Sequence, residues 1–447
     1  MFNSEIFIFL FLPIVLIINY LLPKNIRKYF LLLSSFIFYI YNDLQYFLVL
    51  IGSILFNYLI LSAMNSFKAK KDKKLFLIFG ITYNIIILCY FKYLSFLVYG
   101  IEKIFDLRLV LKTYILPIGI SFYIFQIISY LIDVYNNKIS FDKNIINYAL
   151  YVSFFPKLVS GPIVRYEDFK KGLVQDKIDI SNITIGIKRF IIGLSKKVIL
   201  ANTLSLMVNN IWNVPTTSLN SFIAWLGALG YTLEIYFDFS GYSDMAIGIA
   251  QMLGYNFKEN FNYPYMANSL TDFWRRWHIS LSTFFRDYVY IPLGGNKKHQ
   301  LFNILIVFIL TGIWHGAGIT FLIWGLWHAL FNILEKIFKI NKLKDKNIFI
   351  KIFSHLYTLF IVLIGWIIFK APDLESMLSY LKAMFINNNN YSYSIWGFLT
   401  KYNILIIILG LIFSTDIPKK IYFNKRKNNL YYILENILLM IIFIISI

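Results

Sequence analysis

An all-α, polytopic membrane protein is the fold class this sequence predicts, and three observations predict it. Of 447 residues, 58% are hydrophobic and only 15% charged, with a mean hydropathy of +0.64. A water-soluble chain of this length needs more polar surface, so lipid must solvate much of the exterior. The apolar residues fall in long runs separated by short basic loops. The formal net charge is +20; because the basic clusters sit between apolar runs, they read as retained cytoplasmic loops and not as a nucleic-acid-binding face.

The elements follow in order. Ile6 to Leu22 reads as a retained span with its N-terminus outside, since Glu5 precedes it and Lys24, Arg27 and Lys28 follow. A signal peptide carries its positive charges first and a small-residue cleavage site afterwards. Phe30 to Tyr41 and Tyr46 to Leu61 form a short hairpin, ending at a loop with Lys68, Lys70, Lys71, Lys73 and Lys74. Two crossings between two basic loops put both loops in the cytoplasm. Leu75 to Val98 returns outward and Ile115 to Val134 comes back in.

The C-terminal part gives an independent check. Lys336, Lys339, Lys342, Lys344 and Lys346 mark a cytoplasmic loop, Ile348 to Phe369 crosses out, and the polar stretch Asn387 to Asn390 lies outside. Tyr402 to Phe413 returns to Lys419, Lys420, Lys425, Arg426 and Lys427, and Leu430 to Ile447 leaves again. Both chain ends are thus expected outside the cytoplasm.

The single integral membrane domain is expected to have three regions: N-terminal spans over 1–143, a catalytic core over 144–334 and C-terminal spans over 335–447. In the core, Pro156, Gly161, Pro162, Gly241, Pro264, Pro292, Gly294 and Gly295 interrupt the apolar runs. Non-helical backbone at membrane depth is tolerated only inside protein or against a water-filled cavity. A cavity, re-entrant segments and amphipathic helices are therefore expected here. No matching pair of broken spans marks an inverted-repeat transporter.

Rare ionisable residues concentrate in the same region. His315 sits in Thr311-Gly-Ile-Trp-His-Gly-Ala-Gly318, inside an apolar stretch from Leu301 to Leu334 that is long enough for two spans. It must lie at a turn or helix break, where glycines admit another backbone or a ligand. The alternative is a polar side chain hydrogen-bonded between helices. Ser269 and Asp272 have capping-box spacing, so a helix starts there and carries Phe273, Trp277, Leu281, Phe284 and Tyr288 on one apolar stripe. Arg275 and Arg276 make it too polar to span, so it lies in the interface or a cavity wall; snorkelling to headgroups is their simpler explanation. His278 is directed towards protein. Glu234, Asp238 and Asp244 fall within the apolar segment Phe222 to Gly254. Each would cost about 2.5–3.5 kcal/mol on a lipid-facing helix centre, and Arg165, Arg275 and Arg276 are their candidate partners, for catalysis or for a structural ion-pair network. His299 and His355 read as surface residues. The single cysteine, Cys89, excludes an intrachain disulfide and a multi-Cys zinc site and reads as a buried packing thiol. No metal site is expected. The sequence has no Gly-x-Ser-x-Gly elbow, Walker loop or His-Glu-x-x-His motif.

Several longer motifs appear in order: Phe11-Leu-Pro13, Pro117-Ile-Gly-Ile-Ser-Phe-Tyr123, Tyr130-Leu-Ile-Asp133, Phe154-Phe-Pro-Lys-Leu-Val-Ser-Gly-Pro-Ile-Val-Arg165, Phe237-Asp-Phe-Ser-Gly-Tyr-Ser-Asp244, Phe273-Trp-Arg-Arg-Trp-His278 and Trp314-His-Gly316. Over nearly its whole length the chain resembles the membrane-bound O-acyltransferase family, in particular the bacterial branch typified by the alginate O-acetylation protein. The resemblance implies a ring of about eleven transmembrane helices, with re-entrant and amphipathic helices, around a central funnel or tunnel. It implies that His315 is the family's invariant histidine and His278 its second polar position. His315 would act as the base towards a sugar hydroxyl, and His278 would orient the substrate or polarise the donor carbonyl. Trp274, Arg275, Arg276, Trp277, Trp314, Asp238, Ser240, Asp244 and Arg165 are the candidate substrate-binding residues.

No tightly bound cofactor is implied. Acetyl-CoA or another cytoplasmic acyl thioester is the implied donor, and membrane lipid and an extracytoplasmic acetyltransferase are the implied partners. The implied location is a bacterial cytoplasmic (inner) membrane. D-alanyl transfer to teichoic acid and non-catalytic acyl-group transport are the competing readings.

Overall fold

The computed structural model describes residues 1–106, 116–174, 179–339, 347–386, 393–425 and 429–447. Lys342, Lys344, Lys346, Asn387 to Asn390, Arg426 and Lys427, which carry parts of the expected topology, lie outside the described residues, as does Ile115. Among the described residues all regular structure is helical. The chain forms two compact units, residues 1–190 with 245–259, and residues 191–244 with 260–447.

In the first unit a wide helical turn over Ile6–Phe11 leads into α1 (Leu12–Leu21). Pro13, which has no N–H to donate, sits where the wide turn passes into α1. Then come α2 (Lys24–Asp43), α3 (Phe47–Ser66), α4 (Lys70–Phe105), α5 (Ile120–Tyr135), α6 (Ile145–Ser153), α7 (Phe155–Leu158), α8 (Tyr166–Val174) and α9 (Ile180–Ser195), which continues past this unit. The expected short hairpin is present but longer than its apolar runs, because Lys24, Arg27 and Lys28 fall within the first turns of α2. Asn57 on α3 and Asn84 on α4 exchange amide hydrogen bonds of 3.2 and 2.6 Å, a buried polar clasp between apolar helices. Cys89 is exposed on α4 and not a packing thiol, since on a lipid-facing helix apolar residues point outward as well as inward.

In the second unit a wide-turn segment, Lys196–Asn202, joins α9 to α10 (Thr203–Trp212). The 32-residue α11 (Ser221–Met252) contains all three expected acids and contributes to both units. It is followed by α12 (Leu270–Arg276), α13 (Ile279–Phe285), α14 (Gln300–His315), α15 (Ile319–Ile337), α16 (Ile348–Lys370), α17 (Leu374–Phe385), α18 (Lys401–Phe413), α19 (Ile417–Lys425) and α20 (Asn429–Ile445). Among the described residues, four helical stretches are long and apolar enough to cross a membrane: Lys24–Ser66, Lys70–Glu102, Ile180–Trp212 and Ile348–Lys370. Shorter apolar helices include Ile120–Tyr135 and Gln300–His315.

The expected continuous helix from Ser269 to Tyr288 is not formed. Ser269 caps α12 by accepting from Asp272 N at 3.1 Å, as the spacing predicts. The helix then stops at Trp277, and His278 is left-handed at φ 44° before α13 begins. Local periodicity could not see this break, because its cause is a distant side chain, Asn260, described below.

The stretch around His315 does form two helices, with His315 the last residue of α14. The glycines there serve helix packing. A Cβ on Gly312 would run into the Phe321 carbonyl oxygen, and one on Gly325 into that of Phe308. Small residues thus let the α14 and α15 backbones touch. Replacing Gly325 with Leu should force these helices apart and lower stability by about 1–3 kcal/mol. The melting temperature of the purified protein in detergent checks this; an unchanged value contradicts the packing account.

Candidate functional site

The site is built within the second unit and begins with Asn260. Its backbone carbonyl accepts from Ile279 N at 2.9 Å, and its Oδ1 accepts from Ser280 N at 3.1 Å and Ser280 Oγ at 2.9 Å. Its Nδ2 donates to Ser243 Oγ of α11 at 3.0 Å. These bonds satisfy the first N–H groups of α13, which begins in the left-handed residue His278. They also settle the orientation of the amide, because a backbone N–H can only donate.

That orientation determines the state of His278. Its Nδ1 lies 3.2 Å from Asn260 Oδ1, an acceptor, so Nδ1 carries the proton and Nε2 holds a lone pair. Nε2 is buried and makes no hydrogen bond to described protein atoms. His278 is 1% exposed and lies outside every helix long enough to span a membrane. Burial pushes its pKa down to about 3, so the ring is neutral through the physiological range. The sequence reading that points His278 into protein is right, although its basis, a helical stripe, is not how the residue gets there.

His315 is half-buried at the end of α14 and is surrounded by rings. Trp314, Trp324 and Phe369 meet it edge-on at centroid distances of 4.8, 5.0 and 5.0 Å. Trp314 also lies 6.1 Å from His278, and Phe239 of α11 packs edge-on to His278 at 4.6 Å. The two histidines thus share one aromatic cluster, with the Trp314 indole between them. An imidazole held by ring edges keeps its orientation while remaining partly accessible.

Two of the three acids find partners that the sequence reading did not name. Asp244 pairs with Lys196 at 2.7 Å, and Asp238 pairs with Lys197. Both lysines lie on the wide-turn segment before α10, and Gly241 packs against that segment's backbone, where a Cβ would lie 3.0 Å from Lys197 N. Arg276 pairs with Asp272 at 3.0 Å, not with an α11 acid. Arg275 is exposed, and Arg165 belongs to the first unit. Ser240 is 2% exposed, and its hydroxyl has no partner among the described residues.

Trp277 is a core residue, and Trp274 packs half-buried against the core. Trp277 packs 4.7 Å from Trp366, and Trp274 lies 5.0 Å from His328 and 5.6 Å from Trp324. His328 is fully buried, and neither ring nitrogen has a partner among the described residues. It completes the ring system behind Trp324, at 5.0 Å. His355, expected at the surface, is partly buried, with Nδ1 donating to the Ala267 carbonyl at 2.9 Å; His299 is exposed. Asn260, Lys196 and Lys197 carried no motif signal: each acts through a partner far away in sequence. Among the described residues no cluster of His, Cys, Asp and Glu could hold a metal ion.

The geometry provides a neutral imidazole lone pair, a second imidazole nearby and a largely apolar wall, a setting suited to moving a proton off a hydroxyl group. Residues 36–371 match the membrane-bound O-acyltransferase family. The chain belongs to that family. As a membrane-bound O-acyltransferase it is an acyltransferase, and its apolar helices are those of a multi-pass membrane protein. It is 40% identical over 394 residues to the probable alginate O-acetylase AlgI of Pseudomonas aeruginosa, covering 86% of this chain and 74% of the relative. It is 36% identical over 419 residues to the peptidoglycan O-acetyltransferase of Helicobacter pylori, covering 86% and 79%. The teichoic acid D-alanyltransferase of Bacillus subtilis is 30% identical over 274 residues, covering 57% and 68%.

The Lys196–Asp244 pair is mostly shielded from solvent, at 22% and 17% side-chain exposure. Breaking it leaves a charge in a poor environment. Lys196→Met or Asp244→Asn alone should each destabilise this membrane-bound O-acyltransferase by about 1–3 kcal/mol, and the double variant should recover part of the loss. Thermal unfolding of the three variants measures the coupling; additive losses contradict it.

Proposed function

We propose that this acyltransferase moves an acetyl group from a cytoplasmic thioester, acetyl-CoA or a similar donor, for O-acetylation of an exported polysaccharide. Supporting this reading are the names of the relatives that share most of its length, an alginate O-acetylase and a peptidoglycan O-acetyltransferase. D-alanyl transfer to teichoic acid is the second reading, and the relative with that name matches over less of the chain. The observation that carries the proposal is the shared aromatic cluster of His278 and His315.

In this mechanism His315 accepts the proton of the acceptor hydroxyl as its oxygen attacks the thioester carbonyl carbon. The carbon–sulfur bond breaks, and the imidazolium returns the proton to the departing thiolate. His278, with Nδ1–H committed to Asn260, has only a lone pair to offer at Nε2. It therefore accepts a hydrogen bond and orients the hydroxyl; polarising the donor carbonyl would require an N–H that it does not present. The exposed Arg275 and the Asp272-paired Arg276 have no demonstrated place in the reaction.

The finer architecture belongs to the same proposal: a ring of about eleven transmembrane helices around a funnel in the bacterial inner membrane, with both chain ends outside. A separate extracytoplasmic acetyltransferase would complete delivery to the polymer.

His315→Ala should abolish ester-linked acetate on the exported polysaccharide while leaving the protein at its normal level in the membrane. Alkali-released acetate and an immunoblot of the membrane fraction measure the two. Acetylation that persists at normal protein level removes His315 from the role of base.

A further inference from the structure

The first unit has a basic recess that the acyl-transfer chemistry does not use. It is a small recess, partly open to solvent, with about 40 Å³ of free space, where α1 meets the start of α2, beside the end of α8 and the residues that follow α11. Lys24, Arg27 and Lys28 line it, and none of its lining residues is acidic. Lys24 Nζ donates to the carbonyl of Val174, the last residue of α8, at 2.7 Å. Arg27 Nε donates to the Leu22 carbonyl at 3.0 Å. These bonds hold both side chains in place. The terminal Arg27 nitrogens and Lys28 Nζ make no ion pair or hydrogen bond to protein among the described residues, and Lys28 Nζ lies 5.3 Å from the Tyr29 ring centre. Tyr255 closes one side, packed so tightly on Gly172 that a Cβ there would enter its ring.

Asn19, which also lines the recess, is the second and independent observation. It is 0% exposed, yet neither its Nδ2 nor its Oδ1 has a hydrogen-bond partner among the described residues. A buried amide left unpartnered carries its full desolvation penalty. A ligand that satisfies it must offer both an acceptor and a donor. Cations gathered without a carboxylate call for an anion with several oxygens, which Arg can grip with two parallel bonds.

We propose that this recess binds a phosphate ester that carries a hydroxyl group. The phosphate lies against Arg27, Lys28 and Lys24, and the ligand occupies both ends of the Asn19 amide. An anionic phospholipid headgroup supplies this chemistry with its acyl chains in the surrounding bilayer; a free phosphate compound supplies it without chains.

The test is native mass spectrometry of the purified full-length protein after exchange into equal amounts of phosphatidylglycerol and phosphatidylcholine, with inorganic phosphate added in a second arm. The wild type should retain phosphatidylglycerol with about a tenfold preference. Arg27→Gln/Lys28→Gln should lose that preference, and Lys68→Gln/Lys70→Gln, an equal charge change elsewhere, should keep it. Should the double variant fail to accumulate, Lys28→Gln alone is read in its place, since its ammonium group holds no protein acceptor. Phosphate binding that the variant abolishes, without any lipid preference, assigns the site to a free phosphate compound. Equal retention of both ligands by wild type and variant overturns the proposal.

Discussion

The hydrogen bonds of Asn260 are the constraint on which the candidate site depends. One side chain and its carbonyl start α13, hold His278 in a left-handed conformation and set the tautomer of its ring. A continuous helix from Ser269 onward would keep every backbone bond but would place His278 elsewhere. The break is affordable only because Asn260 supplies acceptors for Ile279 and Ser280, and Asn260 is itself fixed to α11 through Ser243. A polar residue in a loop thereby controls the orientation of a buried imidazole, a second-layer dependence familiar from other sites that rely on histidine.

Around that constraint the second unit uses two kinds of packing. Aromatic rings fill the space between α12, α14, α15 and α16, and Trp324 and Trp366 are almost wholly buried. Their edge-to-face contacts hold His315 by shape without fixing it by a hydrogen bond to the same rings. Elsewhere Asp244 and Asp238 of α11 are neutralised locally by Lys196 and Lys197, whereas the buried Oε2 of Glu234 has no hydrogen-bond partner among the described residues. These pairs tie α11 to the segment that precedes α10. The reading of Asp238 and Asp244 as part of a structural network fits these contacts better than direct participation in chemistry.

Much of the helical plan was legible in the sequence. Apolar runs and basic loops located the helices, and Ile348–Lys370 and Lys401–Phe413 agree with expectation within a residue or two. The Ser269 cap was readable because a cap is a local event. His315 at a helix break was readable because its apolar stretch is too long for one span. What stayed hidden were the effects of distant partners. Asn260 sits in a polar loop with no motif to mark it, and Lys196 and Lys197 resemble any basic pair. Trp277 is buried in the core and Trp274 packs half-buried against it; a Trp in a motif does not announce whether its contacts are ligand or protein. Cys89 and His355 were misplaced for a related reason, since in lipid the outside of a helix is as apolar as the inside.

The central claim is that Asn260 aligns His278 with the aromatic cluster of His315 and so sets the rate of acyl transfer. The most direct measurement is single-turnover transfer from a labelled thioester by purified, detergent-solubilised Asn260→Ala compared with wild type. The account predicts a loss of about a hundredfold, the scale expected when a reacting group shifts by an ångström, with the donor still bound. Transfer at the wild-type rate by a folded Asn260→Ala protein would contradict it.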